Sequence, residues 1–96
     1  MRRINLLPVM DREAVSLLVP ELREAVQADA GIALLADGVE QIGQAGIQLL
    51  LSAHRSAIAA GIDLTIAAPS DALKNACALA GVAASLPFAM ADGEAA

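Results

Sequence analysis

The chain has 96 residues, enough for one hydrophobic core burying roughly two-thirds of the surface that the unfolded chain exposes. It is 57% hydrophobic but only 1% aromatic, and its net charge of -5 leaves six scattered basic residues with no basic stripe for nucleic acid or an anionic membrane surface. A lone Cys77 and a lone His54 exclude an internal disulfide and a multi-thiolate or His-rich metal site, and no apolar run nears the ~20 residues of a membrane span.

Arg2 and Arg3 followed by the apolar run Ile4 to Met10 look faintly like a secretory leader. Pro8 interrupts that run and Asp11, Arg12 and Glu13 end it too early, so a cytoplasmic protein is expected. Ile4 to Val9 reads as a first strand, with Pro8 placing it at a sheet edge or ending it early. Asp11 suits a helix N-cap. Behind it Val15, Leu18, Leu22 and Val26 recur at helical spacing, with a kink or break expected between Ser16 and Pro20. Gly31 marks the turn out, and Ile32 to Ala36, apolar on both faces, reads as a buried parallel strand.

Asp37-Gly38 closes that strand into a loop. A helix is expected over 45–60, with Ile47, Leu50, Leu51 and Ile58 on one face and Gly61 as its C-terminal cap. Ile62, Leu64 and Ile66 alternate with Asp63 and Thr65 as a third strand. Ser70 caps a last helix with Asp71 complementing its dipole, Leu73, Ala76, Cys77 and Ala80 as its inner stripe, and Gly81 ending it. Val82 to Phe88 reads as a short strand or turn. The order β-α-β-α-β-α implies parallel strands joined by right-handed crossovers. One domain over 1–88 and a flexible tail over 89–96 are expected.

The segment from Gly38 to Leu51 leaves a strand, makes a glycine-containing turn and enters an apolar helix, where an open α/β sheet presents a functional loop. Between Ile42 and Leu51 it has no Ser, Thr, Cys, His, Asp or Lys, which points to binding instead of chemistry. Gly43 and Gly46 suit a tight strand-to-helix turn; a nucleotide loop of the Walker or dinucleotide type needs more glycines or a lysine. Gln44 and Gln48, four apart, offer a partner amide donors and acceptors. His54 and Arg55 read as rim residues because no acid or nucleophile converges on them. Asp37 is expected to cap the strand end or satisfy loop amides instead of binding a metal, and Cys77 to be a small buried hydrophobe. Glu13, Glu21 and Glu24 form a solvated face.

The run from Asp37 to Arg55 resembles the central motif of STAS domains, the anti-sigma factor antagonist family. That motif reads roughly Asp-x-x-x-Val-x-x-Ile-Asp-Ser-Ala/Ser-Gly-Leu-x-x-Leu-Leu. Gly61 to Ile66 followed by Pro69-Ser70 resembles the family's glycine, apolar strand, Pro-Ser and helix stretch, and Leu79-Ala80-Gly81-Val82 its Leu-x-Gly-Leu. Leu7-Pro8, Met10-Asp11, Val15, Leu18 and Leu22 resemble the opening of short members, some linked to chemotaxis clusters and others to phospholipid-transport ABC complexes. The likeness spans about positions 6 to 83. It implies an α/β fold with a small, mostly parallel sheet and helices mainly on one face.

In the family, a Ser or Thr before the second long helix is phosphorylated by a partner kinase, which breaks the complex. That hydroxyl falls on Gln44 or Ala45 here and the preceding aspartate on Gly43, so the family position is not phosphorylatable. Ser52 and Ser56 are other hydroxyls on the same helix. The resemblance implies a non-catalytic adaptor without cofactor or metal, binding a partner through Gly43, Gln44, Ala45, Gly46, Gln48, Ser52 and Arg55. The implied partner is an anti-sigma kinase, a chemotaxis component or, alternatively, the ATPase of a lipid-transport complex. A homodimer is compatible with the apolar, alanine-rich sequence, and a small-ligand carrier or enzyme is the reading of a different class.

Overall fold

A computed structural model of the protein describes residues 2–28 and 31–89. Its elements are strand β1 (Arg2–Asn5), strand β2 (Val9–Met10), helix α1 (Arg12–Gln27), strand β3 (Ile32–Leu35), strand β4 (Gln41–Ile42), helix α2 (Gln44–Ala60), strand β5 (Leu64–Ala67) and helix α3 (Asp71–Leu79). A 3-10 turn, Ala83–Ser85, follows.

Three of the strands form one parallel sheet in the order β1-β3-β5. The register sets Ile4 beside Leu34 beside Ile66, and Ile32 beside Leu64. All five are buried, because side chains two apart along a strand share a face and this face lies under the helices. The opposite face carries Arg3, Asn5, Thr65 and Ala67, exposed or half-exposed. Helices thus cover mainly one face of the sheet. The core is wholly aliphatic apart from the sulfurs of Met10 and Cys77, with no buried polar or charged residue among the described ones.

The first strand is shorter than the full span from Ile4 to Val9, ending early as Pro8 allowed. It ends at Asn5, and a separate two-residue strand follows Pro8. Proline has no N–H to continue a ladder, but its carbonyl remains free. Pro8 O accepts from both Glu40 N (2.7 Å) and Gln41 N (3.0 Å), and Met10 O accepts from Gly43 N (3.2 Å). These bonds align β2 with β4 as a second, two-stranded parallel sheet. Two-residue strands are too short for any alternation to show in the sequence. The edge position expected of the first strand is met, since β1 borders the larger sheet.

Helix α1 runs unbroken through Pro20, against the expected kink or break. Pro20 and Ser16 are both exposed, so the carbonyl that loses its donor faces water and the helix need not open. Asp11 caps it, accepting from Ala14 N at 3.0 Å. Its buried stripe is Ala14, Leu18, Leu22 and Ala25, with Val15 and Val26 half-buried on the flanks.

Helix α2 buries Gly46, Ile47, Leu49, Leu50, Ala53 and Ala57. Ile58, expected on this face, is 65% exposed, because it sits one residue past Ala57 and so about 100° around the helix. Gly61 ends the helix at φ 72°, a left-handed conformation that glycine adopts without a Cβ clash. Ile62 lies just outside β5, its N–H bonded back to Ala57 O at 3.0 Å.

Ser70 caps α3, accepting from Leu73 N at 3.1 Å. Only Leu73 and Cys77 of the expected inner stripe are buried; Ala76 is half-buried and Ala80, already past the last helical turn, is exposed. Beyond it Phe88 forms a parallel bridge with Ile66, fixed by Ile66 N to Pro87 O and Ala89 N to Ile66 O, both 2.9 Å. Of the tail expected at 89–96, residues 90–96 lie outside the described residues.

Gly46 is the tightest point of the fold. A Cβ there would lie 2.7 Å from Met10 O, 2.7 Å from Ile42 Cγ1 and 3.0 Å from Met10 Cβ. Overpacking of this kind costs about 1–3 kcal/mol, against a gain of about 1 kcal/mol in helix propensity on replacing glycine by alanine. Gly46→Ala should therefore lose up to about 2 kcal/mol in urea denaturation, where the same change at an open helix position would gain stability.

Candidate functional site

The loop from β3 to α2 is positioned almost entirely by backbone. Ala36, fully buried at the end of β3, donates its N–H to Ala67 O (3.1 Å), and its carbonyl accepts from Val39 N (3.4 Å) and Ser70 N (3.2 Å). Asp37 and Gly38 turn at the surface, and Val39 drops back into the core at 2% exposure. Asp37 was expected to satisfy loop amides, but its carboxylate makes no hydrogen bond among the described residues; the turn is closed by main-chain groups instead.

From β4 the chain enters α2 through Gly43, which is extended (φ -96°, ψ -175°) and gives the helix no side-chain cap. There is no acidic residue in the first turn either, whereas α1 and α3 have both features. The start of α2 is thus a helix end without a carboxylate of its own. Gln44 and Gln48 are exposed there and Ala45 is half-buried. Gly46 is buried against Met10, so it sets how closely the helix approaches and presents no surface.

The remaining residues expected at this site divide. At 3.6 residues per turn, Gln44, Gln48 and Arg55 fall within about 40° of one another on α2. Ser52 is rotated further round and lines a different groove, between α1 and α2, together with Ser56. His54 is half-buried, at the rim and not facing open solvent, with a buried Nδ1 that has no hydrogen-bond partner among the described residues.

What the sequence did not reveal is the contribution of α3. Its C-terminal end and Val82 lie across from the start of α2 and enclose a groove of about 470 Å³. Ile42, Ile47 and Val82 line it, the amides of Gln44 and Gln48 border it, and Leu79 stands at its edge at 90% exposure. None of the groove's lining residues is charged. Leu79 is the signal that reasoning along the chain passed over, an apolar residue in the last turn of α3 lying outside that helix's buried stripe.

A STAS domain model matches residues 7–95. The chain belongs to the STAS domain family. This STAS domain is also similar in fold to the solved structure of the anti-sigma factor antagonist SpoIIAA in its unphosphorylated form. The TM-score is 0.71 at 19% identity, with 97% of this chain and 82% of that one covered. No curated protein matches the chain. The mixed α/β fold, the parallel sheets and the three helices agree with the resemblance drawn from the loop motif.

Chemically, the loop of this STAS domain offers hydrogen bonds and apolar contact. No side chain from Gly43 to Gly46 carries a hydroxyl, thiol, imidazole or carboxylate. Cys77, the nearby thiol on α3, is fully buried, and burial pushes its pKa above the ordinary thiol value.

Two outcomes follow from this geometry. Gly43 has open space where a Cβ would go. Gly43→Asp should supply the missing cap and raise stability by about 0.3–1 kcal/mol in thermal denaturation. For Cys77, the folded pKa lies above the unfolded one, so the stability gained by burying a neutral thiol is complete below about pH 8.5 and declines as the pH rises past it. The stability difference between wild type and Cys77→Ala should shrink over that rise, and thiol reagents at neutral pH should label the chain only once it unfolds.

Proposed function

We propose that this STAS domain is a non-catalytic, cytoplasmic adaptor that docks a bacterial regulatory protein on the groove between the start of α2 and the end of α3. The observation that carries the reading is the uncharged groove itself, bordered by Gln44 and Gln48 and flanked by a leucine left almost wholly in water. Apolar surface with hydrogen-bonding amides beside it suits a protein partner, since burying Leu79 gains hydrophobic free energy and the amides fix the orientation. SpoIIAA, whose fold this chain shares, is an anti-sigma factor antagonist. A kinase-like anti-sigma factor or a chemotaxis component therefore fits as partner.

In this reading Gln44, Gln48, Arg55 and Leu79 make the contacts, Gly43 and Ala45 keep the helix start small, and Gly46 acts by seating the helix. With Gln44 and Ala45 at the family's phosphorylation position, the complex is constitutive and is not released by phosphoryl transfer there.

Affinity capture from the native host tests both parts. Gln44→Glu places a negative charge at the start of α2, where the helix dipole favours it, so the fold is retained or slightly stabilised while an apolar interface is opposed. Capture of the partner should fall about tenfold or more with Gln44→Glu and with Leu79→Ser, as for central interface residues. Unchanged capture by both variants places the interface elsewhere. Incubation with host extract and ATP should leave the intact mass unaltered, and a gain of one phosphate would overturn the constitutive complex.

A further inference from the structure

Strand β1 forms one border of the larger sheet, and the bonds it makes on its inner side define what is left on its outer side. Arg2 N donates to Gly31 O at 2.7 Å and Leu6 N to Leu35 O at 2.9 Å, so residues 2, 4 and 6 turn their peptide groups to β3. Arg3 and Asn5 turn theirs outward, and no strand among the described residues takes them up. The row is short, because Leu7, the next residue of that phase, donates its N–H to Met10 Sδ at 3.4 Å. Arg3 and Asn5 are both exposed. Outward N–H and C=O groups on alternate residues are the complement of one extended chain.

The surroundings of the row on its two faces fix the side chains that such a chain should carry. On the sheet face not covered by helices stand Asn5 and Arg3, the latter without an ion pair among the described residues. A hydroxyl opposite Asn5 and a carboxylate opposite Arg3 suit that face. On the other face lies α1. Its ion pair from Glu24 to Arg2, at 3.4 Å, sets the flank carrying Leu17, Glu21 and Glu24 beside β1, while the opposite flank, with Val19 and Val26, faces α2. Leu17 precedes Glu24 by about two turns, or about 10.5 Å, which spans about three strand residues and brings it near the level of Asn5. It is 65% exposed, and an apolar side chain from an added strand would cover it.

We propose that the outer edge of β1 binds an extended segment of a partner protein in antiparallel register, with a carboxylate opposite Arg3, a hydroxyl opposite Asn5 and apolar residues on the Leu17 side. Antiparallel pairing lets Arg3 and Asn5 each exchange both main-chain bonds with the residue that faces it. A second copy of this chain is a poor occupant, because that register would set the acidic flank of one α1, with Glu21 and Glu24, against the same flank of the other. The edge lies across α1 from the docking groove, and the inference does not depend on that groove being used.

Nuclear magnetic resonance of the full chain with two capped peptides, Thr-Val-Thr-Val-Glu-Val-Thr and the same sequence with Lys for Glu, tests this. In the free chain the amides of Arg3 and Asn5 should exchange faster than that of Ile4, and saturating Glu peptide should slow both by about tenfold. The Lys peptide should bind about fivefold more weakly, and Arg3→Glu should reverse that preference, as a cross-strand charge pair requires. N-methylation of the peptide's Glu, whose N–H faces Arg3, should abolish binding, whereas methylation of the valine before it, whose N–H points away, should be tolerated. Leu17→Ser should weaken both peptides about threefold. Slow exchange of Arg3 and Asn5 in the free monomer, binding that survives methylation of Glu, or no binding of either peptide overturns the proposal. Sedimentation of the free chain as a dimer with those two amides protected overturns the choice of occupant.

Discussion

The approach of Gly46 to Met10 governs how α2 sits, and through it both faces that α2 offers. The contact is between a helix backbone and a strand backbone, with Met10 O also accepting from Gly43 N. Only a residue without a Cβ lets the two come so near. The two hydrogen bonds to Pro8 O complete the attachment, so three donors from 40–43 are engaged by carbonyls of 8–10. A helix start fixed in this way needs no side-chain cap to hold its place. That frees Gly43 and Gln44 from a structural duty that Asp11 and Ser70 perform for the other two helices.

The core is built to match this close spacing. With Leu, Ile, Val and Ala as almost its only materials, the elements lie close where Gly46, Ala25 and Ala57 meet their neighbours. The same economy of volume leaves space wherever small residues are not matched by a close approach. The gap between α1 and α2 is such a place, and the groove between α2 and α3 is another. One is bordered by Arg23; the other is uncharged and overhung by Leu79. The two flanks of one helix are thus chemically distinct.

Much of the fold was legible because period and punctuation coincide. Asp11 and Ser70 are caps followed by helical spacing, Gly61 sits where a helix must end, and the apolar run of β3 reads as a central strand. The loop motif added the family. What escaped the sequence has physical reasons. The pairing of β2 with β4 rests on main-chain atoms of Pro8 and Met10, which leave no side-chain pattern. Pro20 suggests a break, but a solvent-facing proline leaves its unpaired carbonyl to water. The part of the site made by Leu79 and Val82 depends on how α3 crosses the start of α2, a long-range arrangement that local spacing does not encode. Ser52 shows the converse: it is near the loop in sequence, yet helical rotation turns it to another groove.

The position of β1 at the border of the sheet has a consequence for the protein's behaviour at high concentration. In a parallel strand alternate residues turn their peptide groups away from the neighbour, so Arg3 and Asn5 offer outward N–H and C=O groups that no strand among the described residues takes up. An open row of this kind is a template for endless sheet growth from chain to chain. Arg2 and Arg3 stand along it, the densest positive charge in an acidic protein. Pairing with β1 of a second copy in parallel would align arginine with arginine, a repulsion that opposes joining two chains edge to edge.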